Sequence, residues 1–246
     1  MVHPGRQFYE DWAGRQAEDT ARATILKWKA VNLANLYLRT LKGTTVRSLC
    51  EIGGAEGTIV HTVGDILGVE RRVNYELTAT FCRIGRDLYP EVEFINSEFT
   101  GREPEPFDLM VCSDILEHVE DERDFLAAVG RSCRYALFKI PVEKCLIGTD
   151  PWFWLHGQGK PAKYRYGPGH YNGHLRGYTV GQAHACLAPA FRLLDAQLSS
   201  VTYFYGSPLE RQVERLLGVR ATVWLFGGAV FALGESRSHP SEGQVA

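Results

Sequence analysis

A chain of 246 residues with 45% apolar content can bury a substantial core, and its length calls for one mid-sized domain. Its 27 Lys and Arg nearly balance 29 Asp and Glu, leaving a formal charge of −2 without a basic run, which argues against a DNA or RNA interface. Six cysteines without a Cys-x-x-Cys pair argue against a structural zinc site or a disulfide framework and read as buried, reduced thiols.

At the amino terminus, Met1 to Gln7 lacks the apolar core of a signal peptide, and no apolar run reaches the roughly eighteen residues of a membrane span. A cytoplasmic protein that does not engage a membrane is expected. Asp19 to Lys42 carries Ala21, Ile25, Trp28, Val31, Ala34, Leu38 and Leu41 at helical spacing, and Gly43-Thr44-Thr45 breaks the pattern. This predicts an amphipathic helix packed on a sheet, with Tyr9 and Trp12 upstream of it.

An apolar strand, Val46 to Ile52, then passes through Glu51 into Gly53-Gly54-Ala55-Glu56-Gly57. Gly53 and Gly57 permit backbone angles and close approaches that a Cβ would block, so a flat polar ligand across the turn is the expectation. Glu51 and Glu56 would repel a pyrophosphate, which points to a neutral or cationic nucleoside. A second strand, Arg72 to Tyr75, ends in Glu76, at the offset from which a carboxylate reaches the ribose of such a ligand.

Further strands near 91–96, 107–112 and 134–140 alternate with helix-compatible stretches, the pattern of successive βαβ units and a parallel sheet. From Glu143 to Tyr178 the alternation stops. This long stretch is rich in Gly, Pro and aromatic residues, and it reads as the lid and wall of an acceptor pocket. Beyond it come a helix near Thr179–Ala188 with Thr179 as N-cap, a strand near Phe191–Tyr205, and a helix announced by Ser207 and Pro208 that ends at Gly218. A last strand near Arg220–Leu233 precedes a flexible tail, 235–246.

Four segments together resemble the class I S-adenosylmethionine-dependent methyltransferases, over most of the chain from about Val46 to Leu194. Glu51 to Gly57 is similar to their first motif, acidic-x-Gly-x-Gly-x-Gly, with Ala55 in place of the central glycine. Phe94 to Glu98 resembles the third strand with its adenine-side acid, here Glu98 rather than the commoner Asp. Phe107 to Val119 resembles the fourth strand with its "LEHV" exit, and Gly173-His174-Leu175-Arg176-Gly177-Tyr178-Thr179 resembles the "GH-(V/L)-R-x-(Y/F)-T" segment of the small-molecule branch.

The resemblance implies a Rossmann-like α/β three-layer sandwich with a seven-stranded, mostly parallel sheet and an antiparallel last strand. It divides the chain into N-terminal helices over the cofactor site, 1–45, a methyltransferase domain, 46–234, with an aromatic lid insertion, 143–178, and the tail. It implies S-adenosyl-L-methionine as cofactor, bound by Glu51, Gly53, Gly54, Ala55, Gly57, Glu76, Leu77, Glu98, Phe99 and Ser113. The acceptor, a small molecule of specialised metabolism, would meet Tyr9, Trp12, Trp152, Trp154, His170, His174, Arg176 and Tyr178.

Methyl transfer is an in-line displacement, so positioning and desolvation come first, and a hydroxyl or amine acceptor adds the need for a base. His118, leaving the fourth strand at the ligand crevice, is the candidate, with Asp114 beside it as the second catalytic residue in preference to Glu117. His156, His170 and His174 suggest a metal by type, but Gly169 and Gly173 interrupt any helix there and no carboxylate or thiolate completes the set, so no metal is expected. Two alternatives stand beside methyl transfer: methyl-independent chemistry such as elimination or ring closure, and a non-catalytic subunit that docks a partner, or a second copy as a homodimer, through 207–218.

Overall fold

The structure, a computed structural model, describes residues 9–11, 13, 20–102, 105–148, 166–167, 170, 172–200, 204 and 206–239. Residues 9–11 and 13 are helical and lead to α1 (Thr20–Thr40). Then β1 (Ser48–Ile52), α2 (Thr58–Leu67), β2 (Arg71–Tyr75), α3 (Ala79–Leu88) and β3 (Val92–Ile95) alternate. They are followed by β4 (Phe107–Ser113), α4 (Glu122–Ser132), β5 (Cys133–Val142), a 3₁₀ turn at Leu146–Gly148, α5 (Val180–Leu187), β6 (Phe191–Ser199), α6 (Pro208–Phe226) and β7 (Gly228–Ser236).

The seven strands form one sheet in the order β3-β2-β1-β4-β5-β7-β6. Strands β1 to β5 are parallel, and β7 runs antiparallel between β5 and β6. This is the expected mostly parallel sheet with its antiparallel last strand. Both faces are covered. Leu49, Leu109, Val111, Leu137 and Phe231 face a cluster built on α1 and α2, while Cys50, Met110, Cys112, Ala136 and Phe138 face a second cluster with α4 and α5. Alternate residues of a strand thus enter different cores, which is why the central strands read as unbroken apolar runs. Five of the six cysteines are buried, Cys186 is half-buried, and all six are free.

Helix α1 forms where its periodicity predicts, and Trp28, Ala34 and Leu41 of the expected stripe pack on the core, but the inward face is rotated away from Val31 and Leu38. Ala30, Leu33, Ala34 and Tyr37 are buried, whereas Val31 is 41% and Leu38 46% exposed. The sequence holds two overlapping stripes at helical spacing. The stripe with Leu33 and Tyr37 wins because it meets α2 and the sheet, where it contributes the larger buried area.

Two boundaries move. The strand expected from Arg220 begins only at Gly228, because the chain resumes a helix after a non-helical Gly218 and continues to Phe226. Val219 and Val223, one turn apart, pack on the core, and this tertiary contact overrides the β-branched composition of the segment. At the carboxyl end β7 runs on through Ser236. Glu235 is buried against Arg192 of β6, so the first two residues of the expected tail belong to the sheet.

Other signals hold at the residue level. Thr179 caps α5 in a reciprocal capping box with Gln182, and Ser207 does the same for α6 with Glu210, with Pro208 in the first turn. On α6, Leu209, Leu216, Leu217 and Trp224 remain exposed. Among the described residues no helix is long and apolar enough to cross a membrane. Trp12, Trp152 and Trp154, with most of the aromatic insertion, lie outside the described residues.

One contact fixes the edge of the sheet that carries the turn after β1. The Phe94 ring of β3 lies where a Cβ on Gly57 would come within 2.7 Å and one on Gly85 within 2.2 Å. Gly57 also has φ of 81°, a conformation glycine adopts without penalty. Gly85→Ala is expected to destabilise the fold by about 1–3 kcal/mol through this overlap, read as a lower denaturation midpoint. Phe94→Leu added to that variant should recover part of the loss; a midpoint unmoved by Gly85→Ala alone would show that the ring does not set the spacing.

Candidate active site

The strand order reverses direction between β1 and β4, and at such a switch point the carboxyl ends of the parallel strands diverge to leave a crevice. A cleft of about 1440 Å³ opens there, lined from the ends of β1, β2, β4 and β5, from α1 and from Tyr9. Single small-molecule sites usually occupy roughly 300–1,000 Å³, so this cleft has room for two ligands side by side.

Its floor is the turn after β1. Gly53 has φ of 68° and faces the cleft without a side chain; a Cβ there would come within 2.9 Å of Ile115. A Cβ on Gly54 would lie 2.5 Å from both the Asn74 Oδ1 and the Glu51 carboxylate. Ala55, the departure from the glycine pattern, sits at φ of 51°, which an L-residue tolerates only when its surroundings impose it. Here they do. The Ala55 N–H donates to Glu76 Oε2 at 2.9 Å, and the Ala55 carbonyl accepts from Asn74 Nδ2 at 2.9 Å.

Glu76 also accepts the Thr78 N–H through Oε1 at 2.8 Å, so one carboxylate ties the ends of β1 and β2 together. Burial raises the Glu76 pKa, opposed by these N–H donors. Glu51 accepts the Val60 N–H of α2 at 2.9 Å, and burial pushes its carboxyl up to about 8. Both carboxylates border the cleft, as does Glu98, which is exposed at its margin beside Phe99. Leu77 and Ser113 line it too. Gly57 does not: it caps α2 and turns toward Phe94, so its role is packing rather than ligand contact.

The opposite wall is a charged cluster at the end of β4. Asp114, at φ of 54°, pairs with Lys29 of α1 at 2.7 Å and with Lys139 of β5. Burial opposes its charge, but the two ammonium groups dominate and hold its carboxyl well below the usual range. A carboxylate so stabilised is a poor proton acceptor, so the geometry gives Asp114 a fixed charge. Glu117, which the sequence reading placed second to Asp114, is the one buried on the cleft wall. It is 1% exposed, its Oε2 has no hydrogen-bond partner among the described residues, and burial followed by the nearby Asp114 charge pushes it up to about 7.

His118 also borders the cleft, its Nδ1 3.3 Å from the Gly173 carbonyl and 3.4 Å from the Tyr9 hydroxyl. His174 stands edge-on to it with ring centroids 4.9 Å apart, and its Nδ1 lies 2.9 Å from Glu143 Oε2. Desolvation works against a charged His174, yet Glu143 outweighs it and raises the pKa. One ligand-type atom from each of Glu117, His118 and His174 falls within 4.8 Å of the others, so a carboxylate from a distant segment completes the set that spacing did not reveal.

Three residues expected at the acceptor face elsewhere. His170 is buried behind His174, stacked on it at 4.6 Å, and accepts the His174 N–H through Nδ1. Arg176 donates to the carbonyls of Leu116 and Glu120, and the buried Tyr178 hydroxyl bonds Leu116 O and Glu122 Oε2. They secure the loop after β4 because its carbonyls, left unpaired at the strand end, need donors. Lys29, Lys139 and Glu143 were missed. Only Lys139 carried a signal, as a lone charge inside the apolar run Tyr135-Ala136-Leu137-Phe138-Lys139-Ile140, where it requires a partner.

No family model matches the sequence, and no curated protein matches it. Solved structures do match the fold. A chain of the Haloferax volcanii complex containing the Trm112 methyltransferase activator superposes with a TM-score of 0.60 at 11% identity, over 93% of this chain and 97% of that one. The N-methyltransferase NodS of Bradyrhizobium japonicum, in complex with S-adenosyl-L-homocysteine, gives 0.55 at 12% identity over 91% of each chain. The [4+2]-cyclase SpnF gives 0.55 at 15% identity over 84% of this chain and 80% of that chain. The fold is that of the class I S-adenosylmethionine-dependent methyltransferases.

Proposed function

We propose that this protein is an S-adenosylmethionine-dependent methyltransferase acting on an N, O or C nucleophile of a small metabolite, in specialised metabolism and in the cytoplasm. The observation that carries the reading is the bare Gly53 surface facing the cleft beside the Glu76 carboxylate, at the switch point of the sheet. Gly53 is exposed and has no side chain of its own, so a nucleoside can lie on the backbone. The acids around it favour hydroxyls and cations over phosphates.

Glu76 accepts the Ala55 and Thr78 N–H groups and borders the cleft as an acceptor-only carboxylate, which suits the hydroxyls of a ribose. Leu77 and Phe99 supply apolar flanks for the base, Glu98 sits at the margin where an exocyclic amine would emerge, and Glu51 is the acid for an ammonium group. When bound, S-adenosylmethionine supplies a methyl group on a sulfonium. His118, bordering the same cleft, is placed to take the proton of an acceptor that fills the remaining volume. Asp114, with Lys29 and Lys139, contributes a fixed charge pattern rather than a proton acceptor.

A second reading draws on the cyclase of the same fold and on the methyl of Ala55 at the turn: the cofactor cradle is kept while the chemistry is an elimination or ring closure. A third draws on exposed Leu209, Leu216 and Leu217, which would suit a partner subunit or a second copy. Transfer of the labelled methyl group to a product separates the first reading from both.

Calorimetry should show S-adenosyl-L-homocysteine binding to the wild-type chain, with Glu76→Gln weakening it by at least about 10-fold, or 1.4 kcal/mol. No binding at about 1 mM ligand would end the proposal, and equal binding by a folded Glu76→Gln variant would remove Glu76 from the ribose. A pH effect follows from Glu51. Its carboxyl is raised from 4.5 to about 8 in the fold, so the native chain holds a proton there that the unfolded chain releases. Stability is therefore expected to fall as pH rises from about 4.5 to about 8, with Glu117 adding to the slope. Glu51→Gln should flatten the profile in thermal melts, and a slope equal to that of the parent would show that Glu51 ionises normally.

A further inference from the structure

We propose that Glu117, His118 and His174 form a binding site for one divalent transition-metal ion on the acceptor side of the cleft. The inference does not depend on the methyl-transfer reading; in the metal-bound form His118 is a ligand and no longer the proton acceptor. Its basis is geometric: the exit of β4 and the loop before α5, more than fifty residues apart in sequence, place one candidate ligand atom each within a 4.8 Å triangle.

The carboxylate is the strongest element. A buried carboxylate with an oxygen that meets no donor carries a desolvation penalty, which ordinarily is relieved by a proton, an ion pair or a metal. Among the described residues Glu117 Oε2 is such an oxygen, and the residue borders the cleft. Lys29 and Lys139 direct their hydrogen bonds to Asp114, so Lys139 offers Glu117 its charge without a hydrogen bond.

Both imidazoles are oriented as ligands require. His174 holds its Nδ1 against the Glu143 carboxylate, and His118 holds its Nδ1 near the Gly173 carbonyl. With Nδ1 of His174 on Glu143, its Nε2 is the coordinating nitrogen once an ion displaces the proton there, and a carboxylate behind a histidine raises its basicity as a ligand. His170 stacks on His174 and accepts its backbone N–H, which fixes the ring plane. Two imidazoles and one carboxylate suit zinc, cobalt, manganese or ferrous iron better than calcium or magnesium. Three protein ligands leave coordination positions open, and here they open toward the cleft, where water or an oxygen atom of a second ligand can enter.

The test is direct binding of metal to the chelator-stripped full-length chain, followed by calorimetry and by the visible spectrum of Co²⁺. One equivalent should bind with a spectrum of nitrogen and oxygen ligands, without thiolate bands. Glu117→Gln, His118→Asn and His174→Ala should each weaken it by at least about 10-fold, and Glu143→Gln, a positioning change, by roughly 10-fold with the stoichiometry kept. Circular dichroism of each variant identifies any that fails to fold, and any one folded ligand variant suffices. No saturable binding at about 1 mM Co²⁺, or unchanged affinity in a folded ligand variant, would overturn the site. Titration of S-adenosyl-L-homocysteine into the same metal-free samples reports on the cofactor reading separately.

Discussion

The hydrogen bonds from the Glu76 carboxylate to the N–H groups of Ala55 and Thr78 are the constraint on which the cleft depends. They join the ends of two adjacent parallel strands, and with Asn74 they hold Ala55 in a left-handed conformation. Without that hold the turn would relax, because an alanine at positive φ costs of order 1 kcal/mol that only fixed neighbours can offset. Gly53 and Gly54 then present bare backbone to the crevice. The departure from the glycine pattern is thus accommodated by two side chains on β2, and the nucleoside-sized floor survives it.

Facing that floor, charge is arranged in two tiers. Asp114 is locked as a carboxylate between Lys29 and Lys139, so a helix from the amino-terminal part of the chain is pinned to the ends of β4 and β5. Beyond it, Glu117 is buried and raised, while His174 is held toward its charged form by Glu143. Within one wall the environments push these two acids in opposite directions, holding Asp114 ionised and favouring the neutral form of Glu117.

Identities near one residue in ten with the superposed structures fix the architecture and leave chemistry to the site. The same fold is found in an N-methyltransferase and in a [4+2]-cyclase. In this chain the floor follows the sequence motif of the first turn, and the wall is where its individual character lies.

The sequence by itself determined what is local. Strand, glycine turn and helix follow one another at fixed offsets, the acids at 51 and 76 fall at strand ends, and Thr179 and Ser207 cap their helices through bonds three residues away. Those features depend on near neighbours, so spacing is enough to read them. Tertiary structure alone decided which stripe of α1 is buried, that α6 runs past Gly218, and that Arg176 and Tyr178 brace a loop instead of facing a ligand. It also brought His174 to Glu117 and two lysines to Asp114. Sheet register and loop packing set these meetings between distant segments, and neither leaves a periodic trace along the chain.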